Sequence, residues 1–486
     1  MSTILVTLVI YKLALIAIGL WASRRVSSES DYFLAGQNMG AGVAGLSYAA
    51  STSSAWVLLG FTGAVFSTGL TALWLVPGIF GGYLLTWLVI GPRLNADTRE
   101  RGHITVVDFV SADATGSTRR LIRWAMAAII LFCFVVYIAS QFQAAGNALA
   151  DAFPINATEA VLLGAAVIVL YCAFGGFWAA SITDALQAVV MLIACLLVPA
   201  ALIMGEGGLG AVADRLHATD DHDWFHIDGG GAGLLGVGIA MGLLGTGLGA
   251  LGQPQLLNRI MAVRSQRERL RGAAITLLWG ALIYSGLVLL AMGAKAVSLE
   301  AGTESVIFAA ARTYLPPVLA GIVIAAVLSA VMSTVDSLLL ASASAVSHDS
   351  DIPFRNPLMA GRLSMVAVAV LAVTLTLVLP QDIFSRVLFA WVALGAAFGP
   401  AILTRAVGWR VRPAFVLAAI LAGFLVAVTA YSLKGTLSPT PLIDVIEKWG
   451  SWAIGLLILY AGRMRELRQE NHTHGARHGE EPSLLP

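Results

Sequence analysis

Two clusters of oxygen-bearing side chains sit inside apolar runs of this 486-residue chain. The first is Leu46–Gly60, LSYAASTSSAWVLLG, where Ser47 precedes the unbroken set Ser51, Thr52, Ser53 and Ser54. The second holds Ser329, Ser333, Thr334, Ser337, Ser342 and Ser344. Ala330, Ser333 and Thr334 stand at i, i+3 and i+4, so a carbonyl and two hydroxyls share one helix face. Such a set suits a hard monovalent cation, which takes neutral and anionic oxygens in preference to sulfur or nitrogen. Hydroxyl side chains also compete for backbone hydrogen bonds and support local unwinding. Two carbonyls freed by an unwound segment near Ser51 would complete about five ligands, the device secondary transporters use for sodium. The alternative reading of the first cluster is a small-residue packing face between helices.

Charged residues within apolar runs need a reason, since each costs about 2.5–3.5 kcal/mol near the bilayer centre. Asp184, in SITDALQAVV, opens an apolar run and reads either as an N-cap or first-turn acid or as a functional one. Asp336 lies deeper, in AVMSTVDSLLLASASA, where a structural acid bonded to hydroxyls or backbone is the competing reading. A third stretch, GIAMGLLGTGLGALGQPQLL, carries glycines at 242, 245, 247, 249 and 252 and then Pro254. It is either a broken helix or a close-packing face.

These residues must be positioned by membrane helices. The chain is 58% hydrophobic and 12% charged, against about 25% charged in a soluble domain. Net charge is +1, so nothing suggests nucleic acid. Cys133, Cys172 and Cys195 all lie in apolar runs and read as free thiols. The N-terminus lacks a convincing signal peptide, because Lys12 splits its apolar run. With roughly 20 apolar residues per span, thirteen candidates emerge: 3–22, 40–66, 71–91, 123–148, 158–175, 181–203, 232–255, 272–292, 316–347, 363–380, 384–404, 413–432 and 449–462. Alternate connections hold 22 of the 29 basic residues, which places the N-terminus outside and the C-terminus in the cytoplasm. The outer stretch 204–231, with Asp214, Asp220, Asp221 and Asp223, reads as a mobile loop. The tail with His472, His474 and His478 reads as solvated and disordered rather than as a metal site. No Walker A pattern offers an ATP engine. Spans two and seven are both interrupted, five spans apart, which points to an inverted repeat with the substrate site at its interface.

The motifs DYFLAG (31–36), LSYAASTSSAW (46–56), GAVFSTG (63–69), VYIAS (136–140), FGGFWAASITDALQA (174–188), GLGALGQPQLLNRIMA (247–262) and AVLSAVMSTVDSLLLASASA (326–345) resemble, in this order, the sodium/solute symporter family. Within it the sodium/proline symporters are the nearest match, over about 30–460. The resemblance implies thirteen spans and a five-plus-five inverted repeat. It implies a sodium site of backbone oxygens at Ala50, Ser53 and Ala330 with hydroxyls of Ser333 and Thr334. It assigns Asp184 to sodium passage and Ser54, Trp56 and Tyr137 to the substrate cavity. Proline carriers have an acid where Thr52 stands, a Trp at Thr246 and a Tyr at Ala250. The small pair, four apart on span seven and so on one α-helical face, implies a wider cavity here.

The expected fold is all-α integral membrane, about thirteen spans with a five-plus-five inverted-repeat core and broken helices. Its parts are 1–38, a first span and cytoplasmic loop; 39–405, the core with repeats 39–203 and 232–405; 406–463, two accessory spans; and 464–486, a disordered cytoplasmic tail. The expected function is a sodium-coupled symporter importing proline or another amino acid or zwitterion through the bacterial-type inner membrane, with sodium, a small-molecule substrate and the lipid bilayer as partners. A carrier of another solute such as a monocarboxylate, proton coupling, a channel and a transporter-like sensor are the rivals. No paired His/Glu metal motif or base-activated nucleophile suggests an enzyme.

Overall fold

A computed structural model describes residues 29–172, 176–219, 222–231, 233–379, 382–434 and 441–478, with a few positions between 10 and 21. The described residues form helices joined by short connections, with one isolated β-bridge from Met39 to Val263 and no strand. This is what a bilayer demands of apolar runs, since a helix satisfies its backbone groups within itself. Nine of the described helices are long and apolar enough to cross a membrane.

The element order follows the expected stretches from 40 onward. Helix α1 is Ala41–Thr52. Helix α2 is the π-helical turn Trp56–Phe61 continued by Thr62–Thr68, and α3 begins at Leu75–Leu84 and runs on to Arg101. The helical run Trp56–Arg101 has 46 residues, about 70 Å if straight, twice what one crossing needs. It is interrupted at Gly69, whose φ of +67° ends the helix Thr62–Thr68. Then come α4 (Gly116–Ala152), α5 (Ala157–Cys172), α6 (Phe177–Gly205), α7 (Leu234–Leu244), a 3-10 segment (Gly245–Gly252), α8 (Pro254–Met261), α9 (Gln266–Ala296), α10 (Pro317–Ser347), α11 (Pro357–Val378), α12 (Ile383–Ala406), α13 (Pro413–Leu433) and α14 (Ser451–His478). The expected first span, 3–22, lies mostly outside the described residues.

Helices α10 and α12 are enclosed almost throughout by other helices. Helix α11 instead exposes Leu363, Val366, Val370 and Leu371, a face made for lipid. The arginine-rich end is held by polar ties. The Ala41 amide donates to Glu268 (2.8 Å), capping α1, and Asn95 bonds the Ile260 and Val263 carbonyls. Buried Arg123 on α4 bonds Asp108 (2.6 Å) and the His348 and Asp349 carbonyls beyond α10. His348 reaches Asp108 (2.9 Å) and the Thr105 hydroxyl donates to Asp349 (2.6 Å).

Two expectations change, and one of two open readings falls. The stretch 204–231 is pinned rather than loose among its described residues: Trp224 donates to the Phe66 carbonyl (3.1 Å), while the His226 and Ile227 carbonyls accept from Thr71 and Trp74. Aromatic N–H groups and a threonine anchor what its acids and glycines made look mobile. Helix α14 continues to His478, past the position 464 at which disorder is expected, because Arg, Glu, Leu and Gln beyond 463 are good helix formers. Asp184 is not a cap. Helix α6 starts at Phe177 with Gly176 as its N-cap, so the acid stands two turns inside.

Candidate ion and substrate site

The hydroxyl run breaks its helix. Helix α1 ends at Thr52, and Ser53 (φ −98°, ψ 57°) leaves helical geometry. In an unbroken helix the carbonyls of 50, 51 and 52 would accept from the amides of 54, 55 and 56. Buried groups so freed need other partners, and side chains supply them on both sides of the break. The Ala50 carbonyl accepts from the Ser333 hydroxyl (3.3 Å) and the Ser51 carbonyl from Thr334 (3.4 Å). The Thr52 carbonyl accepts from the Trp56 indole (3.1 Å). Across the break, the Ala55 amide donates to the Gln141 side-chain oxygen (3.2 Å) and the Trp56 amide to the Ser54 hydroxyl (3.4 Å).

Helix α10 brings its half of the set as the i, i+3, i+4 spacing requires. Ser333 also donates to the Ala330 carbonyl (3.1 Å), and the Ser51 hydroxyl to the Ser333 carbonyl (3.2 Å). Four of the five anticipated cation ligands, Ala50, Ala330, Ser333 and Thr334, therefore converge. Ser53 sits at the break itself, and the Ser51 carbonyl joins them unanticipated. These contacts are long for O–H···O bonds, which favour about 2.7–2.8 Å. The oxygens surround one another loosely, an arrangement that a small cation could draw inward.

One turn toward the arginine-rich end lies a charged network. Asp184 accepts from the Ser47 hydroxyl (2.7 Å) and the Arg259 guanidinium (2.8 Å). Arg259 also donates to Ser47 (2.7 Å), Ser337 (2.6 Å) and the Gln255 carbonyl. Ser337 touches Asp336 (3.0 Å) and Ser51 (3.2 Å). One oxygen each of Asp184 and Asp336 has no hydrogen-bond partner among the described residues. With both acids ionised, Arg259 neutralises one and leaves one negative charge in a buried site, which calls for a cation or a proton. Arg259 falls in one of the arginine-rich connections that set the orientation, yet it is 1% exposed. The signal lay in QPQLLNRIM, where Pro254 restarts a helix and carries Arg259 back into the protein.

On the other side of the break, the Tyr137 hydroxyl donates to Ser54 (3.3 Å), so Ser54, Trp56 and Tyr137 form one bonded group. Gln141, one turn along α4, joins it unanticipated. Thr246 and Ala250 are arranged differently. They lie in the 3-10 segment, where a spacing of four turns a side chain by about 120°, so they do not share the face that α-helical spacing predicts. The Thr246 carbonyl accepts from the Trp391 indole (3.0 Å), its hydroxyl has no partner among the described residues, and Ala250 faces Gly82 of α3. No described hydrogen bond joins either to the Ser54–Tyr137 group. Elsewhere, Asp108, His348 and Asp349 lie within 4.8 Å of one another, but the Arg123 guanidinium already stands among them as their counter-charge.

The family model described as the sodium:solute symporter family matches residues 32–423. An osmoregulated proline transporter of Bacillus subtilis is 32% identical over 458 residues, 91% of either chain. The sodium/proline symporter of Escherichia coli is 31% identical over 476 residues, covering 94% of this chain and 92% of its own. In fold, the chain is similar to a Na+-coupled sialic acid symporter solved in a substrate-bound outward-open state, with TM-score 0.78 at 16% identity over 95% of this chain and 98% of that one. A nucleobase-cation-symport-1 family transporter superposes with TM-score 0.55 at 13% identity over 90% and 96%. The chain is thus a multi-pass membrane transporter, not an enzyme, and belongs to the sodium:solute symporter family.

Proposed function

We propose that this protein imports proline or a similar small zwitterionic amino acid by sodium symport. The observation that carries the proposal is the meeting of the Ser333 and Thr334 hydroxyls with the Ala50 and Ser51 carbonyls at the break between α1 and α2. With the Ala330 carbonyl and the backbone of Ser53, these oxygens are the sodium site. Asp184, with Asp336 and Arg259 behind it, is the next station on the ion's way inward. Ser54, Trp56 and Tyr137 are the substrate side of the same break, and Thr246 and Ala250 border it from the second broken span. The names of the relatives, proline transporters at about a third identity, support the amino-acid assignment.

The mechanism follows from the two breaks. Sodium binds from outside and stabilises the outward-open form by coordinating carbonyls that only the broken helix frees. Substrate binds beside it, the bundle rocks, and both leave inward. Coupling requires that each ligand prefer one conformation, since equal affinity for both shifts nothing. In this reading 39–203 and 232–405 are the inverted repeats of a core at 39–405, 1–38 and 406–463 are accessory, and 464–486 is a cytoplasmic tail. The N-terminus lies outside and the C-terminus inside a bacterial-type inner membrane, as the arginine distribution directs.

The test is uptake of a panel of amino acids and monocarboxylates into proteoliposomes under imposed sodium or proton gradients. Sodium-driven accumulation of proline or another zwitterion is the expected result. Accumulation driven by protons alone, or of monocarboxylates alone, would replace the reading with the corresponding rival.

A further inference from the structure

The break between α1 and α2 divides one helical hydrogen bond in a way that ties the two ligands together. Residues 51 and 55 would be partners in a continuous helix. Instead the Ser51 carbonyl accepts from Thr334 at the proposed sodium site, and the Ala55 amide donates to Gln141 on the solute side. Gln141 is fully buried and stands one turn from Tyr137 on α4, so both side chains reach consecutive residues of the break, Ala55 and Ser54. Among the described residues its own nitrogen reaches only its neighbour Ser140 (3.2 Å). The Ala55 contact, at 3.2 Å, is a neutral hydrogen bond of ordinary-to-long length. A carboxylate would make a shorter, charge-assisted bond of about 2.7–2.9 Å, roughly twice as strong. The helix end opening at Ala55 also favours negative charge.

We infer that Gln141 is a specificity-determining residue: its side-chain oxygen holds on the Ala55 amide the place that the carboxylate of the transported solute takes. The inference rests on the function proposed above and adds the chemistry by which the solute is chosen. Solute binding displaces the Gln141 oxygen, and the bond surrendered is weaker than the bond gained only when the solute carries an anionic oxygen. Gln141 therefore sets a threshold against neutral amides and alcohols of similar shape.

The test compares Gln141→Met, which keeps the side-chain volume and removes the amide, with Gln141→Glu, which puts a carboxylate on Ala55 in nearly the same shape. The assay is competition by amino acids, their amides and their decarboxylated amines against a transported tracer in proteoliposomes. Gln141→Met is expected to lower the half-saturating concentration of carboxylate-bearing solutes, since their competitor is gone. Gln141→Glu is expected to raise it by about tenfold or more, as loss of one charged hydrogen bond does, and to improve competition by the amines. Sodium half-saturation at saturating solute should not move in either variant, which separates selection from a general structural defect. Wild-type carboxylate affinity in Gln141→Glu, or an unchanged competition profile in Gln141→Met, would overturn the inference. Should the wild type accumulate no amino acid with sodium, the proposed function fails first. Thermal stabilisation of the purified proteins by the same solutes then decides the present point. Carboxylate-selective stabilisation that is stronger in Gln141→Met than in wild type upholds it, and its absence overturns it.

Discussion

The protein breaks two of its spans and finishes them differently, mostly with hydroxyls at the first and with bulky N–H donors and backbone contact at the second. At the first break, between α1 and α2, three hydroxyls, one amide and the indole of the nearby Trp56 take up the freed backbone groups at 3.1–3.4 Å. At the second, between α7 and α8, the partners are bulky N–H donors. The Trp391 indole holds the Thr246 carbonyl, Gln253 holds the Gly249 and Trp391 carbonyls, and from the π-helical turn Ile446–Gly450 that leads into α14, Lys448 and Trp449 hold the Gly242 and Met241 carbonyls at 2.6 and 2.8 Å. Backbone also meets backbone there. A Cβ on Gly247 would fall 1.7 Å from the Gly78 carbonyl oxygen, and one on Gly249 would fall 1.9 Å from Trp391. The first break is furnished with exchangeable oxygens that a cation or solute can recruit. The second is clamped between α3 and α12 and is built to hold its shape.

The largest expected effect breaks the clamp. Gly247→Ala must force α3 and the 3-10 segment apart, and overpacking against backbone costs about 3 kcal/mol or more. Folded protein recovered from membranes should fall sharply. Gly81→Ala, whose Cβ would meet nothing within 4 Å, should be recovered normally. Equal yields would show that the second break is as yielding as the first.

Next comes the charged network below the first break. Asp184→Asn removes the partner of a buried guanidinium, a class of change that costs about 3–5 kcal/mol. Turnover should fall by more than the sodium half-saturation shifts if, as proposed, the ion leaves past the acid, which lies on the arginine-rich side of the oxygen set. Transport near the wild-type rate would remove Asp184 from the ion's path.

A smaller effect belongs to the oxygens themselves. Ser333→Ala or Thr334→Ala should raise the sodium concentration for half-maximal uptake, each lost oxygen being worth about 1–3 kcal/mol by analogy with charged hydrogen bonds. Affinity for solute at saturating sodium should change less. Unaltered sodium dependence in correctly inserted variants would mean that this break does not hold the ion.

The smallest effect is a reference outside both breaks. Asp349, beyond the end of α10, has its carboxyl pushed up to about 7, chiefly by burial and further by Asp108, against the pull of His348, Thr105 and Arg123. Asp351 also pairs with Arg123. A carboxyl whose folded pKa is raised lends stability below its unfolded pKa and loses that contribution as pH rises to the folded value. Melting temperature in detergent should therefore decline between about pH 4 and 7, and the decline should be shallower in Asp349→Asn. An identical profile in the two proteins would show that this acid does not titrate in that window.

Much of this was legible from residue types. Helical spacing alone put Ala330, Ser333 and Thr334 on one face, and a run of four hydroxyls in an apolar stretch announced the break that frees the Ala50 and Ser51 carbonyls. The spacing argument failed for Thr246 and Ala250, because glycines had already changed the helix type and with it the angle per residue. The pairing of Arg259 with Asp184 was hidden as well. The two residues are 75 apart in the chain, and an arginine after a proline looks like any loop cation until the helix carrying it turns inward.

The sequence by itself determined that the chain is a bundle of membrane helices, and it marked the stretches around Ser51–Ser54 and Gly245–Gly252 as places where a helix either breaks or packs closely. Hydrophobic length, and backbone satisfaction within an unbroken helix, are local demands that each segment meets alone. Only the tertiary structure decided who takes the groups that the breaks release: Thr334 and Gln141 for the two halves of one divided hydrogen bond, Trp391 and Lys448 for the other span. Those partners come from distant helices, and their choice depends on how whole helices pack, which no local pattern encodes.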